Sequence, residues 1–161
     1  MSEIIKVGMA DLNVVKSPNA ITTLGLGSCV GVALRDPVSK VGGLAHVMLP
    51  DSTAIRNNSN IYKFADTGVD ELVKRIVAAG GTRSRLVAKI AGGAKMFAMN
   101  SNAPVVQVGA RNVEAVKKKL KELGIRLLAE DTGESYGRTV VFYPETGDFI
   151  IKSVGKPEKT I

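Results

Sequence analysis

The chain of 161 residues has one cysteine, one histidine and no tryptophan. A lone cysteine cannot form an internal disulfide or a multi-cysteine zinc site, and it suits a reducing compartment, so a cytoplasmic address is expected. Aromatic residues make up only 4%, which leaves little on which to stack unpaired bases. Zinc-finger, RNA-recognition and zipper patterns are missing, so nucleic acid is not an expected partner. No apolar run approaches the roughly 18 residues of a membrane span. The start, Met1-Ser2-Glu3-Ile4-Ile5-Lys6, has no basic segment ahead of a long apolar one, so neither insertion nor secretion is expected. No cofactor is expected either. Gly25-Leu26-Gly27 lacks the full phosphate fingerprint and a helix to follow it, and Gly92-Gly93 lacks the Lys-Ser/Thr of a phosphate loop. Glu130 and Asp131 have no spaced partner set for a metal.

Hydrophobic residues at 45% and charged residues at 23% give the balance of a globular chain. The length suits one domain over 1–161, and no internal repeat or linker divides it. The net charge of +7 favours an acidic partner surface. Lys117-Lys118-Lys119 is expected to be a solvated helix face. A monomer is expected, because no long unpaired apolar helix face is evident.

Short β-rich runs are separated by glycine and proline turns. Strands are expected over Glu3–Met9, Leu12–Lys16, Ile21–Leu24, Ser28–Arg35, Val41–Leu49, Leu86–Ala91, Val105–Val108, Ile125–Ala129, Arg138–Tyr143 and Phe149–Val154. Val69, Leu72, Val73, Ile76 and Val77 mark one helix, capped by Asp66 or Thr67 and stopped at Gly80-Gly81. Val113, Val116, Leu120 and Leu123 mark another, with Asn112 as cap and Gly124 as terminator. Pro50 to Asn60 reads as a mobile loop, and the tail from Gly155 as frayed. Strands both precede and follow the helices, so the expected class is an α+β layered domain with mixed sheets.

Cysteine and histidine alone are more often inert core residues than reactive ones. Their placement changes that. Val30, Val32 and Leu34 alternate with Cys29, Gly31 and Ala33, and Asp36-Pro37-Val38-Ser39 is a turn signal. A hairpin centred between Pro37 and Val38 would set Cys29 opposite His46, with Cβ atoms about 4.5–5.5 Å apart. A one-residue bulge at Gly42-Gly43 would put them on opposite faces. Gly27 and Ser28 leave room before Cys29 for a substrate and for oxyanion-binding N–H groups. The imidazole would either sustain a thiolate or take the thiol proton as a general base. Thr23 is a candidate to orient the ring.

The runs Thr23-Leu24-Gly25-Leu26-Gly27-Ser28-Cys29-Val30, Arg35-Asp36-Pro37 and Ala45-His46-Val47-Met48-Leu49-Pro50 closely resemble the CheD family of chemoreceptor glutamine deamidases. So do Lys89-Ile90-Ala91-Gly92-Gly93-Ala94, Met96-Phe97, Gly109-Ala110-Arg111-Asn112 and Ala129-Glu130-Asp131-Thr132-Gly133. The resemblance implies a catalytic set of Cys29, His46 and Thr23. It implies a layered fold like the catalytic domain of cytotoxic necrotizing factor toxins. It further implies hydrolysis of receptor glutamines to glutamate through a cysteine thioester, with the phosphatase CheC as second partner. Methyl ester hydrolysis at the receptor ranks second. A non-catalytic adaptor for receptors or CheC is the alternative from another class. Glu134 stands where the family pattern leads one to expect glycine. Arg35 and Arg111 have no catalytic assignment and are expected to assist docking on an acidic receptor surface.

Overall fold

The computed structural model describes residues 2–54, 56–96 and 107–161. Among these residues are ten β-strands and two α-helices. The first sheet holds β1 (Ile4–Val7), β3 (Ala20–Leu26), β8 (Arg138–Tyr143), β9 (Asp148–Lys152) and β10 (Lys159–Thr160), in that spatial order. The second holds β2 (Leu12–Lys16), β5 (Val41–Val47), β4 (Val30–Asp36), β6 (Val87–Gly92) and β7 (Arg126–Thr132). Both sheets are mixed: β1 runs parallel to β3 and β6 parallel to β7, while the other pairs are antiparallel. Helices α1 (Ala65–Ala78) and α2 (Val108–Glu122) cover the second sheet. The class is α+β with mixed sheets and two helices, as expected.

Strand β4 shows why the layers stack. Its alternation sends Val30, Val32 and Leu34 into the core beneath the helices. Cys29, just before the strand, and Ala33 join the core between the two sheets. Strand β5 divides likewise, with Val41, Ala45 and Val47 in the helix-side core and Leu44 in the inter-sheet core. A central strand buried on both faces has to be apolar on both, and only small or specifically paired polar residues are admitted.

Helix α1 buries Val69, Leu72, Val73 and Ile76 as its spacing predicts, but Val77 lies at the rim, 42% exposed. Its N-cap is Phe64, not Asp66 or Thr67. Asp66 instead accepts hydrogen bonds from the Ser52 N–H at 3.1 Å and hydroxyl at 2.7 Å. The Pro50–Asn60 stretch therefore contains a 3-10 turn, Ser52–Ala54, tied to the helix. Helix α2 starts at Val108, with Gln107 as N-cap. Asn112 lies inside the helix and is no cap. Of the strand expected at Val105–Val108, 105 and 106 lie outside the described residues, and Val108 is helical. Phe97 also lies outside them. The tail is not frayed: β10 pairs with β9, and Phe149 and Ile161 exchange two backbone hydrogen bonds of 3.0–3.1 Å. The unpaired edge of β9 recruits it.

Asp36 closes the β4–β5 hairpin. Its fully buried carboxylate takes Arg85 Nε at 3.0 Å and Nη2 at 2.8 Å, together with the N–H groups of Thr82 and Val38, each at 2.8 Å. These donors hold its carboxyl far below the usual carboxylate range, the Arg85 bond foremost. A depressed carboxyl contributes stability that is present above the unfolded value of about 3.9 and is lost as pH falls below it. Asp36→Ala is expected to cost about 1–3 kcal/mol, because it removes the buried carboxylate that gathers these charge-assisted hydrogen bonds. Urea denaturation at pH 7 measures that loss, and the gap between wild type and variant should narrow below about pH 4.

Candidate active site

The β4–β5 register differs from the expected one. Asp36 pairs with Val41, Gly31 with His46 and Val30 with Val47. The loop is thus the four residues Pro37 to Lys40, with Lys40 in the left-handed region at φ 56°. Cys29 therefore faces Met48 by continuation, and His46 lies diagonal to it across the glycine at 31. A shift by two residues keeps the face, since side chains alternate with a period of two. Cys29 and His46 still share the surface between the sheets. Cys29 is 7% exposed and His46 is fully buried.

Thr23 comes from the opposite sheet. Its Oγ1 lies 2.7 Å from His46 Nδ1 and 2.8 Å from the carbonyl oxygen of Val7, its parallel neighbour on β1. A hydroxyl has one proton, and a carbonyl can only accept. Thr23 therefore donates to Val7 and accepts from His46, which places the ring proton on Nδ1. Nε2 is left as the basic nitrogen. It is buried and has no hydrogen-bond partner among the described residues, Cys29 included. The structure thus brings Thr23 and His46 into contact and sets Cys29 beside them without a bond. Burial pushes the Cys29 thiol up, partly offset by its own backbone N–H, and pushes the His46 imidazole down. Both shifts favour the uncharged forms of thiol and imidazole.

Three successive carbonyls fasten the segment before β4. Ala94 N–H donates to Gly27 O at 2.8 Å, Asn112 Nδ2 to Ser28 O at 2.9 Å, and Gly93 N–H to Cys29 O at 2.9 Å. Gly92 has φ 113°, and a Cβ there would collide with the Cys29 carbonyl. A groove of about 380 Å³ opens beside this segment, lined among others by Ser28, Ala94, Met96, Gln107 and Glu134. Met96, 41% exposed, lies over Gly27. Glu134 follows Gly133 in the left-handed region, at φ 60° after 81°. This explains why glycine suits that position.

Other candidates are structural. Asp131 is tied to Arg138 at 3.0 Å and Lys159 at 2.9 Å, and Glu130 to Lys117 at 2.8 Å, so both acidic groups are neutralised by cations. Lys119 pairs with Asp70 at 2.9 Å, so the lysine run is partly engaged and not simply solvated. Arg35 Nε donates to Pro144 O at 2.9 Å and clamps the β8–β9 turn, whereas Arg111 is exposed. Asn112 is the site residue that sequence reading missed. It stands four residues before Val116, in phase with the buried stripe of α2, which was the available signal.

A buried cysteine, an imidazole with one ring nitrogen unpartnered among the described residues and a hydroxyl bonded to the other lie together between two sheets of an α+β domain, beside a groove. The chain belongs to the CheD family. Residues 48–153 match the family model described as CheD chemotactic sensory transduction. The chain is 65% identical over 161 residues, all of both chains, to a protein of Lachnoclostridium phytofermentans named probable chemoreceptor glutamine deamidase CheD. It is 54% identical over 162 residues, again all of both, to the chemoreceptor glutamine deamidase CheD of Halalkalibacterium halodurans. A probable chemoreceptor glutamine deamidase CheD of Caldanaerobacter subterraneus subsp. tengcongensis is 51% identical over 160 residues, 99% of each chain.

Two outcomes follow from the site's geometry. Alkylation of Cys29 by iodoacetamide should titrate with one midpoint above the ordinary thiol value of about 8.5, and the rate should keep falling toward acid pH. A rate plateau at pH 5–7 would reveal a preformed thiolate–imidazolium pair. Glu134→Gly should raise stability by up to about 1 kcal/mol in urea denaturation, because a left-handed residue with a Cβ is strained.

Proposed function

We propose that this protein hydrolyses glutamine side chains on the cytoplasmic domains of chemoreceptors, with Cys29 as nucleophile, His46 as general base and acid, and Thr23 as orienting group. The observation that carries this reading is the His46 ring, held at Nδ1 by Thr23 while Nε2, on the face that bears Cys29, has no partner among the described residues. The names of the relatives, chemoreceptor glutamine deamidases, point to the substrate.

Nε2 takes the thiol proton as Sγ bonds to the amide carbon. The carbonyl oxygen becomes an oxyanion, for which the N–H groups of Ser28 and Cys29 are the proposed backbone donors. Nε2 then returns the proton to the nitrogen, the C–N bond breaks and ammonia leaves a thioester. Water gives a proton to Nε2 and its oxygen to the thioester carbon. The C–S bond breaks, and the sulfur recovers the proton. The net change is glutamine plus water to glutamate plus ammonia. A neutral His46 suits this route, because each step begins with a free imidazole nitrogen.

The proposal includes one catalytic domain over the whole chain, kinship with the catalytic domain of cytotoxic necrotizing factor toxins, a monomer working in the cytoplasm, and CheC as a regulatory partner. Family membership supports these parts. The charge of +7 supports an acidic docking surface on the receptor.

Ammonia release on mixing with a receptor cytoplasmic fragment tests the activity, and intact mass of the fragment reads each amide-to-acid exchange. Cys29→Ala and His46→Ala are each expected to lower kcat by about a thousandfold or more, with the double variant no worse, because the pair acts as one unit. Thr23→Val should cost about tenfold and release the single imidazole from its fixed tautomer, a change readable by nitrogen-15 NMR. Receptor binding without ammonia release in the wild type would favour an adaptor. Full activity in Cys29→Ala would refute the catalytic set.

A further inference from the structure

The ladder between β4 and β5 ends at Val30 and Val47. The next pair along, Cys29 and Met48, lies beyond it, where the strands have no further backbone bonds to hold them together. Asn112 crosses this open end. Its Nδ2 donates one proton to Ser28 O at 2.9 Å and the other to Met48 O at 3.0 Å. Ser28 directly precedes Cys29, and Met48 is two residues beyond His46. The Met48 N–H is occupied elsewhere, by Lys63 O at 2.8 Å.

The side chain of Asn112 is fully buried, and its Oδ1 has no hydrogen-bond partner among the described residues. An unmet buried acceptor costs about 1–3 kcal/mol. Such a group is out of place in a helix stripe that otherwise carries Val116 and Leu120. A leucine would fill the same space with no orphan acceptor of its own but would leave the Ser28 and Met48 carbonyls without these donors, so the donor pair is what the position supplies. The helix itself is brought in by Gly109, where a Cβ would collide with the carbonyls of Gly93 and Ala94. Those two residues hold the carbonyls of Cys29 and Gly27. Helix, β6 end and nucleophile segment are thus one bonded unit.

We infer that Asn112 is a positioning residue, whose carboxamide joins Ser28 to Met48 and thereby sets the separation of Cys29 from His46. The inference rests on the reading of those two residues as the reacting pair. It assigns to the start of α2 a part in catalysis that involves no contact with substrate. A shift of a reacting group by about 1 Å can cost on the order of a hundredfold in rate.

The test compares Asn112→Leu, which has similar volume and no donors, with wild type in the full chain. Three readouts are taken: kcat and KM for ammonia release on the receptor fragment, the pH midpoint of Cys29 alkylation by iodoacetamide, and the urea midpoint. The expected result is a kcat lower by about tenfold or more with KM within about twofold. The alkylation midpoint should also move toward the ordinary thiol value of about 8.5, because the released segment lets water reach the thiol. A wild-type kcat and a wild-type alkylation midpoint, whatever the urea midpoint does, would overturn the inference and leave Asn112 a packing residue. If Asn112→Leu does not fold, Asn112→Ser, smaller and with one donor, is judged by the same two readouts. Alkylation needs no receptor. Should Cys29→Ala prove fully active, the catalytic reading fails while the alkylation midpoint still decides whether Asn112 places Cys29.

Discussion

The Thr23 hydroxyl has one proton and spends it on the carbonyl of Val7, so it can only accept from His46. Everything at the centre of the molecule depends on that direction. Val7 is in place because β1 runs parallel to β3 in register with Thr23. His46 belongs to the other sheet, held in β5 and by a 2.9 Å bond from its N–H to Asp11 O. The contact therefore forms only when the two sheets are packed face to face. Ring orientation, tautomer and sheet packing are a single condition, and a slip of one residue in either sheet would remove all three.

Burial then sets the chemistry. The low-polarity space between the sheets disfavours both charged forms, raising the thiol and lowering the imidazole. A buried Nε2 without a partner among the described residues costs stability, since buried polar atoms are normally satisfied. Asn112 Oδ1 and Arg138 Nη2 also lack partners among the described residues, and both residues bond to the backbone that frames the site. Unsatisfied groups concentrated in one region suit a place where a substrate brings new partners. The Asp36–Arg85 pair shows the opposite pattern, each carboxylate oxygen having several donors. It closes the hairpin at the end far from Cys29, so the same two strands are rigid at the turn and open at the site.

Charge has a divided role. The cations Lys117, Lys119, Arg138 and Lys159 are engaged with acidic side chains, and Arg35 holds a turn by bonding to a backbone carbonyl. Steering by the net charge of +7 would fall to the lysines and arginines that stay exposed, Arg111 among them. The acidic pair Glu130-Asp131 is engaged within the fold by Lys117, Arg138 and Lys159.

The sequence by itself determined most of the elements and their faces. Alternation along β4 divided its side chains correctly between the two cores, and the apolar stripes located both helices. It also put Cys29 and His46 on one face, because parity survived a register error of two residues. These are properties of neighbouring residues, governed by the 2.0 and 3.6 periods of the backbone. The tertiary structure alone decided the rest: the true register, set by a four-residue loop closed on Asp36; the reach of Thr23 from the other sheet; the inward turn of Asn112; the return of the tail to β9. Each depends on groups far apart in the chain, and no local periodicity encodes which distant donor will meet which acceptor once water is excluded.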